Sequence, residues 1–413
     1  MNLMRVGMLR EKVRYGEKVK IIFVVVEKSK FNFASVYHAM AENPLFEPML
    51  FVVDGYQDVR LIEDNVMYNY YLELKKDGFN VIWGYDEFNN PKDIQDYHPD
   101  IIFYNTPSFS RYVNNYMNYV GLPSRTMASY LTCYIPYGMH VANESEYHFE
   151  NDDIIPSWLH FIDTRQAFDY CAHNTFTTNG ANAVLSGYPM LDEYAKPRKP
   201  FGGLKLPENP VVVYAPHWSI ETWHNTSTFH IHAAKIMELL IANPTVNFVF
   251  KPHPLLAHEI RNRENRRDRT SVTYADYQRY CDNWRNSPNG IILEDSSFIN
   301  LFKNADCLIT DCYTFITVWL PTDKPCIFLM NPKGPKNPYR YYYDFIKPVI
   351  DSYYTVHTDN ELHDAFNNVF VVGNDEKAAQ RKKVKEQLIY NLGHAGKFIA
   401  NYIEREITGG HSL

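Results

Sequence analysis

Residues Val19–Val26 read VKIIFVVV. A run this apolar and β-branched suits a strand covered on both faces, and such strands belong to parallel sheets flanked by helices. Its uninterrupted part, Ile21–Val26, is the longest apolar stretch in the chain. That is strand-sized, far below the ~20 residues that a membrane-spanning helix needs. The pattern repeats downstream. Further strands are expected at Glu47–Val53, Asn80–Trp83, Asp100–Tyr104, Tyr130–Ile135 and His160–Asp163. Helices are expected between them at Phe33–Glu42, Asn65–Lys76 and Arg111–Val120. Strands alternating with helices predict a parallel sheet with right-handed crossovers.

A second half of the same kind begins at Val211–Ala215 (VVVYA). Its strands are expected at Asn247–Lys251, Gly290–Leu293, Cys307–Thr310, Pro325–Met330 and Tyr353–His357. Helices are expected at Phe229–Ala242, Tyr274–Arg285, Phe298–Lys303, Phe315–Leu320 and Asp359–Val369. Between the halves, Pro197, Pro200, Gly202, Gly203, Pro207 and Pro210 mark a linker. The expected division is therefore 1–193, a linker over 194–210, a second domain over 211–374, and a helical segment over 375–413. That last segment is expected to pack back across the domain junction.

Charge narrows the partners. A net charge of −7 with pI about 6.1 argues against nucleic acid as the main partner. The first twenty residues are charged and contain no apolar core of a secretory signal, so a cytoplasmic protein is expected. The six cysteines form no C-x-x-C pair and read as buried reduced thiols.

In an open parallel sheet the ligand site lies beyond the carboxyl ends of the strands. With two such domains, those ends are expected to face a central cleft. The residues just after the strands are therefore the candidates. In the second half they are Pro216-His217-Trp218, Lys251-Pro-His253-Pro254, Glu294-Asp-Ser296-Ser297 and Asp311-Cys-Tyr-Thr314. Ser296, Ser297 and Thr314 fall at or near helix starts, where backbone N–H groups favour anions; the same hydroxyls also suit plain helix capping. His253, held between prolines, can donate to a phosphoryl oxygen or act as an acid or base. His217 beside Trp218 reads either as a phosphate donor or as a packed histidine. A phosphate-bearing ligand fits this set.

In their order, Tyr214-Ala-Pro-His-Trp218, Lys251-Pro-His-Pro254, Ala305-Asp-Cys-Leu-Ile-Thr-Asp311 and Lys324-Pro325 resemble the CDP-glycerol glycerophosphotransferase family. That family contains teichoic-acid primases, polymerases and capsule-building relatives. Gly187-Tyr-Pro-Met-Leu-Asp192 resembles the family's G-Y-P-x-x-D. The resemblance implies an α/β fold of the GT-B kind, with two Rossmann-like doubly wound domains. It also implies a CDP-linked donor, a saccharide or lipid-linked acceptor, and release of CMP. Donor phosphates are then expected on His217, Lys251, Ser296, Ser297, Thr310, Asp311 and Thr314, with His253 catalytic. The stretch that corresponds to the family's W-H-G-T is Tyr134-Ile-Pro-Tyr137-Gly138, with tyrosine in the histidine's place. The base is therefore expected to be Tyr137 or His140.

Two other readings remain at this level: a GT-B enzyme using a sugar nucleotide, epimerase relatives included, and a non-catalytic pathway component. Neither a cofactor nor a metal is expected, since His230-x-His232 has no carboxylate at ligand spacing and no H-E-x-x-H occurs. G-x-x-x-x-G-K-[ST] and G-x-G-x-x-G loops are missing from the sequence too. The arginines from Arg261 to Arg269, and Arg381, Lys382, Lys383 and Lys385, read as solvated helix faces. The alternative for them is contact with an anionic membrane or acceptor.

Overall fold

The computed structural model describes residues 2–53, 66–106, 129–141, 148–151, 153–222, 225–266, 271–294, 298–333 and 346–410. The expected helix Arg111–Val120 and the candidates Ser296 and Ser297 lie outside these residues. The chain forms two compact units. One contains residues 1–140, 144–196 and 388–413; the other contains 141–143 and 197–387.

The first unit is a seven-stranded parallel sheet of β1 (Val19–Val25), β2 (Phe46–Val52), β3 (Val81–Trp83), β4 (Ile101–Tyr104), β5 (Leu131–Tyr134), β6 (Leu159–Ile162) and β7 (Ala183–Leu185). Their order across the sheet is β3-β2-β1-β4-β5-β6-β7. β1 is central, pairing with β2 and β4, and it is buried on both faces as its composition requires. Only β7 escaped the sequence reading; three residues, two of them half-buried, carry too little periodicity. The helices are α1 (Asn2–Arg14), α2 (Ala34–Ala41), α3 (Val66–Lys76) and α4 (Arg165–Asn174). α1 was not expected, because its buried face consists of just Val6, Leu9 and Val13.

The second unit holds β8 (Val211–Ala215), β9 (Asn247–Phe250), β10 (Gly290–Ile292), β11 (Cys307–Thr310), β12 (Cys326–Leu329) and β13 (Tyr354–Val356). These make a parallel sheet in the order β10-β9-β8-β11-β12-β13. Around it run α5 (Phe229–Ala242), α6 (Leu255–Asn265), α7 (Tyr274–Asn286), α8 (Ile299–Asn304), α9 (Tyr313–Trp319), α10 (Ile346–Asp351), α11 (Asp359–Ala365) and α12 (Ala378–Leu388). A capping box of Thr273 and Asp276 starts α7, and one of Thr358 and Glu361 starts α11. All six cysteines are free and buried.

The C-terminal region forms two helices. α13 (Ala395–Thr408) belongs to the first unit, where Asp192 accepts from the Ala395 and Gly396 amides at 3.0 and 2.8 Å. Gly187 has φ +80°, and a Cβ on it would lie 2.1 Å from the Tyr390 carbonyl oxygen. The G-Y-P-x-x-D segment thus seats the last helix. Arg381, expected on a solvated face, is fully buried and pairs with Asp375 while donating to the Asp323 carbonyl. A run of like charges says nothing about which member turns inward; Arg381 does so because a carboxylate and a carbonyl are there to meet it.

Candidate active site

In the second unit the strand ends are held together by short polar contacts. The Thr310 hydroxyl, at the end of β11, donates to the Ala215 carbonyl at the end of β8 and accepts from the Cys312 amide. Asp311 follows, 1% exposed. One carboxylate oxygen accepts from the His217 amide at 2.5 Å; the other accepts from the Thr228 amide and hydroxyl at 2.5 and 2.8 Å. Burial pushes its carboxyl up to about 6, against these hydrogen bonds, which favour the anion. Thr310 and Asp311 therefore have their polar atoms engaged by the protein itself. They set the position of His217.

His217 and His253 stand after β8 and β9, with ring centroids 5.6 Å apart and Trp218 beside both. The Ser219 amide donates to His217 Nδ1 at 3.2 Å, and the Ser219 and Thr226 hydroxyls lie within 2.9 Å of the same atom. The Leu255 amide donates to His253 Nδ1 at 3.1 Å. An amide N–H can only donate, so Nδ1 is the acceptor in each ring and the proton resides on Nε2. Burial, with help from the adjacent Lys251 ammonium, pushes His253 down to about 3. It is neutral at physiological pH and suited to donating a hydrogen bond rather than shuttling a proton. Lys251 is 3% exposed at the end of β9, and Thr314 is half-buried in the first turn of α9.

In the first unit, Tyr137 and His140 follow β5. Tyr137 is half-buried; its amide donates to the Asn105 carbonyl, and its own carbonyl accepts from the Tyr188 hydroxyl at 2.6 Å. The Lys30 ammonium sits 5.1 Å above its ring. His140 is 1% exposed and bound twice to Asp163, which follows β6. Its amide donates to one carboxylate oxygen at 2.7 Å, and its Nδ1 lies 2.8 Å from the other. Its Nε2 is buried and makes no hydrogen bond among the described residues. Phe149 stacks on the ring at 4.8 Å, with His148 and His160 at 5.4 and 6.0 Å. Burial pushes His148 down to about 3 and His160 well below its ordinary value.

The structure brings His217 and His253 together in one unit, and joins His140 to a partner in the other. Sequence reasoning missed Asp163, Ser219, Thr226 and Thr228. Asp163 was findable, as the first charged residue beyond β6; the other three sit in an irregular segment with no pattern. Among the described residues, no group of three or more His, Cys, Asp or Glu is placed to hold a metal ion.

Two parallel α/β sheets with polar groups beyond their strand ends define a GT-B protein. A family model described as CDP-Glycerol:Poly(glycerophosphate) glycerophosphotransferase matches residues 121–405, well over half of the chain. The chain belongs to that family and is a transferase using a CDP-glycerol donor. No curated protein matches it by sequence. Among solved structures it is similar to the wall teichoic acid polymerase TagF, with 13% identity and TM-score 0.60 over 98% of this chain and 95% of that one. A TagF variant soaked with CDPG matches at 13% identity and TM-score 0.57, covering 98% of each chain. UDP-GlcNAc 2-epimerase from Neisseria meningitidis bound to UDP-GlcNAc has 13% identity and TM-score 0.57, over 94% of this chain and 100% of that chain. At such identities the likeness is one of fold. No helix among the described residues is long and apolar enough to cross a membrane.

Proposed function

We propose that the protein transfers glycerol phosphate from CDP-glycerol to a hydroxyl of a teichoic-acid-like cell-surface polymer, saccharide or lipid-linked, and releases CMP. The acceptor oxygen attacks the β-phosphorus. The bond from that phosphorus to the bridging oxygen breaks, CMP takes the electron pair, and the acceptor proton passes to a base. Little covalent chemistry is asked of the protein beyond this, so its contribution is positioning and stabilisation of charge.

The observation that carries this reading is the pair of imidazoles at the ends of β8 and β9, each with its proton on Nε2. Two neutral donors on a frame built by Thr310 and Asp311 suit the oxygens of a diphosphate. We assign the Lys251 ammonium and the Thr314 hydroxyl to the same phosphates, and Ser296 and Ser297 remain candidates there. The base belongs to the first unit, at His140 or Tyr137.

The test is direct. Purified protein with CDP-glycerol and a glycerophosphate-primed acceptor should release CMP in step with acceptor growth. Release of UDP from UDP-GlcNAc, with none of CMP, would favour a GT-B glycosyltransferase that uses a sugar nucleotide, and conversion of UDP-GlcNAc without UDP release would favour the epimerase-like reading. Turnover of neither donor would favour a non-catalytic pathway component.

A lipid-linked acceptor places the enzyme at the inner face of the cell membrane, working from the cytoplasm. α1 supports peripheral contact there. Leu3, Met4 and Met8 project from it 89%, 65% and 66% exposed. Residues 1–20 carry six basic and two acidic side chains in a chain of net charge −7. Apolar side chains set among cations fit an anionic lipid surface.

A further inference from the structure

We infer that Asp163 is the positioning residue that makes His140, rather than Tyr137, the base of the transfer; this rests on the transferase reading above. The argument begins with the two bonds between them. The His140 amide donates to one oxygen of Asp163 at 2.7 Å, so that oxygen is committed. The other, 2.8 Å from Nδ1, faces a ring atom that meets a carboxylate by carrying the proton. The proton of neutral His140 is therefore on Nδ1, and the lone pair is on Nε2. This is the reverse of His217 and His253, whose Nδ1 atoms accept from backbone amides. Of these three imidazoles, two are set to donate from Nε2 and one is set to accept there.

His140 Nε2 has no partner among the described residues, although it is buried. A polar atom left unpaired in the interior costs free energy, and a substrate hydroxyl is the group whose binding would recover it. When Nε2 takes the acceptor proton, the imidazolium lies against the Asp163 carboxylate, and the pair is neutral overall. Among the described residues, Asp163, His148 and His160 are the titratable groups around the ring, with Tyr188 feeling the Asp163 charge. The two neighbouring histidines are held neutral by burial, so neither competes for the proton. Tyr137 is set differently: its ring lies beneath a lysine ammonium.

Asp163→Asn is the informative variant. The His140 amide still requires an oxygen acceptor, so the oxygen of the new carboxamide must stay on it and the NH2 must turn toward Nδ1. Nδ1 then becomes the acceptor, the proton moves to Nε2, and the base is lost with almost no change in shape. The expected result is a fall in kcat of roughly a hundred- to ten-thousandfold. KM for CDP-glycerol and the melting temperature should stay near wild type. Asp163→Glu, which keeps an acceptor for Nδ1–H, should recover part of the loss. In a His140→Gln background, Asp163→Asn should cost nothing further, since the two act as one unit.

Folded Asp163→Asn protein with wild-type kcat overturns the inference. So does a loss that appears in the melting temperature and not in kcat, or one that adds in full to that of His140→Gln. Should Asp163→Asn not fold, nitrogen-15 spectra of the wild-type imidazoles decide, with His140 assigned by comparison with His140→Gln. A proton on Nε2 overturns the inference, and one on Nδ1 upholds it. Wild-type protein that releases no CMP from CDP-glycerol would instead defeat the transferase reading, and leaves the spectrum as the test of the dyad.

Discussion

The rings of His217 and His253 stand 5.6 Å apart, and each gives its Nδ1 to the amide two residues further along, Ser219 in one case and Leu255 in the other. The two segments begin alike, as Pro216-His217 and Pro252-His253. Proline ends the strand's ladder by lacking an N–H, and the next residue folds back on its own backbone. The matching geometry yields matching tautomers.

His253→Ala therefore has two expected effects. Loss of an Nε2–H donor to developing phosphoryl charge should lower kcat about a hundred- to thousandfold. Loss of the acceptor for the Leu255 amide, at the start of α6, should cost about 1 kcal/mol of stability. His253→Asn separates them, because an Asn oxygen reaches the amide two residues on. It should keep the melting temperature and lose the rate. Equal kcat in Asn and wild-type enzymes would remove His253 from the donor site.

Asp311 gives a pH dependence. Its folded pKa, about 6, is above the ordinary carboxyl value near 3.9. The folded protein therefore holds the proton more tightly than the unfolded chain. The stability this adds is present in full below about 3.9 and is lost as pH rises through about 6. Two pKa units correspond to roughly 3 kcal/mol at most. Asp311→Asn should be less stable throughout, since an amide cannot accept from both His217 and Thr228. Its deficit relative to wild type should shrink between pH 4.5 and 7.5 in thermal melts. A deficit that widens with pH would mean that the three hydrogen bonds keep the carboxyl ionised.

The G-Y-P-x-x-D segment should act on stability alone. Gly187→Ala forces a Cβ onto the Tyr390 carbonyl at a left-handed φ and should cost at least about 3 kcal/mol. Asp192→Ala leaves the first amides of α13 uncapped and should cost about 1–2 kcal/mol. Variants that fold should retain KM for CDP-glycerol. A raised KM at normal melting temperature would place this segment in donor binding instead.

Strands buried on both faces were legible because burial writes itself as unbroken apolar runs: β1, β8 and β11 read directly from VKIIFVVV, VVVYA and CLIT. α1 was not, since it buries only three side chains and its sequence looks like surface. At the site, the rule of looking just past each strand found His217 and His253, and the family resemblance pointed to Tyr137 and His140. Neither could say which nitrogen of each histidine would carry the proton. That depends on whether an amide or a carboxylate meets Nδ1, and a carboxylate partner can come from elsewhere in the chain, as Asp163 does for His140. The same limit applied to Thr310 and Asp311, whose polarity suggested ligand contact while their partners turned out to be the protein's own groups.

The exposed face of α1 yields the last prediction. Val6, Leu9 and Val13 anchor the helix to the first unit, so Leu3, Met4 and Met8 on the other side are spared from folding. Burying an aliphatic side chain of this size is worth roughly 1.5–3 kcal/mol, and each cation near an anionic surface adds about 1 kcal/mol. Wild-type protein should therefore sediment with phosphatidylglycerol vesicles and much less with phosphatidylcholine vesicles. Leu3→Glu, Met4→Glu and Met8→Glu combined should lower vesicle affinity at least about tenfold and leave the melting temperature and the turnover of a soluble acceptor unchanged. High salt should weaken wild-type binding without abolishing it, because the apolar part is not screened. If the triple variant sediments like wild type, α1 is not the contact; if it instead converts a dimer to a monomer in solution, the face belongs to a second copy of the chain.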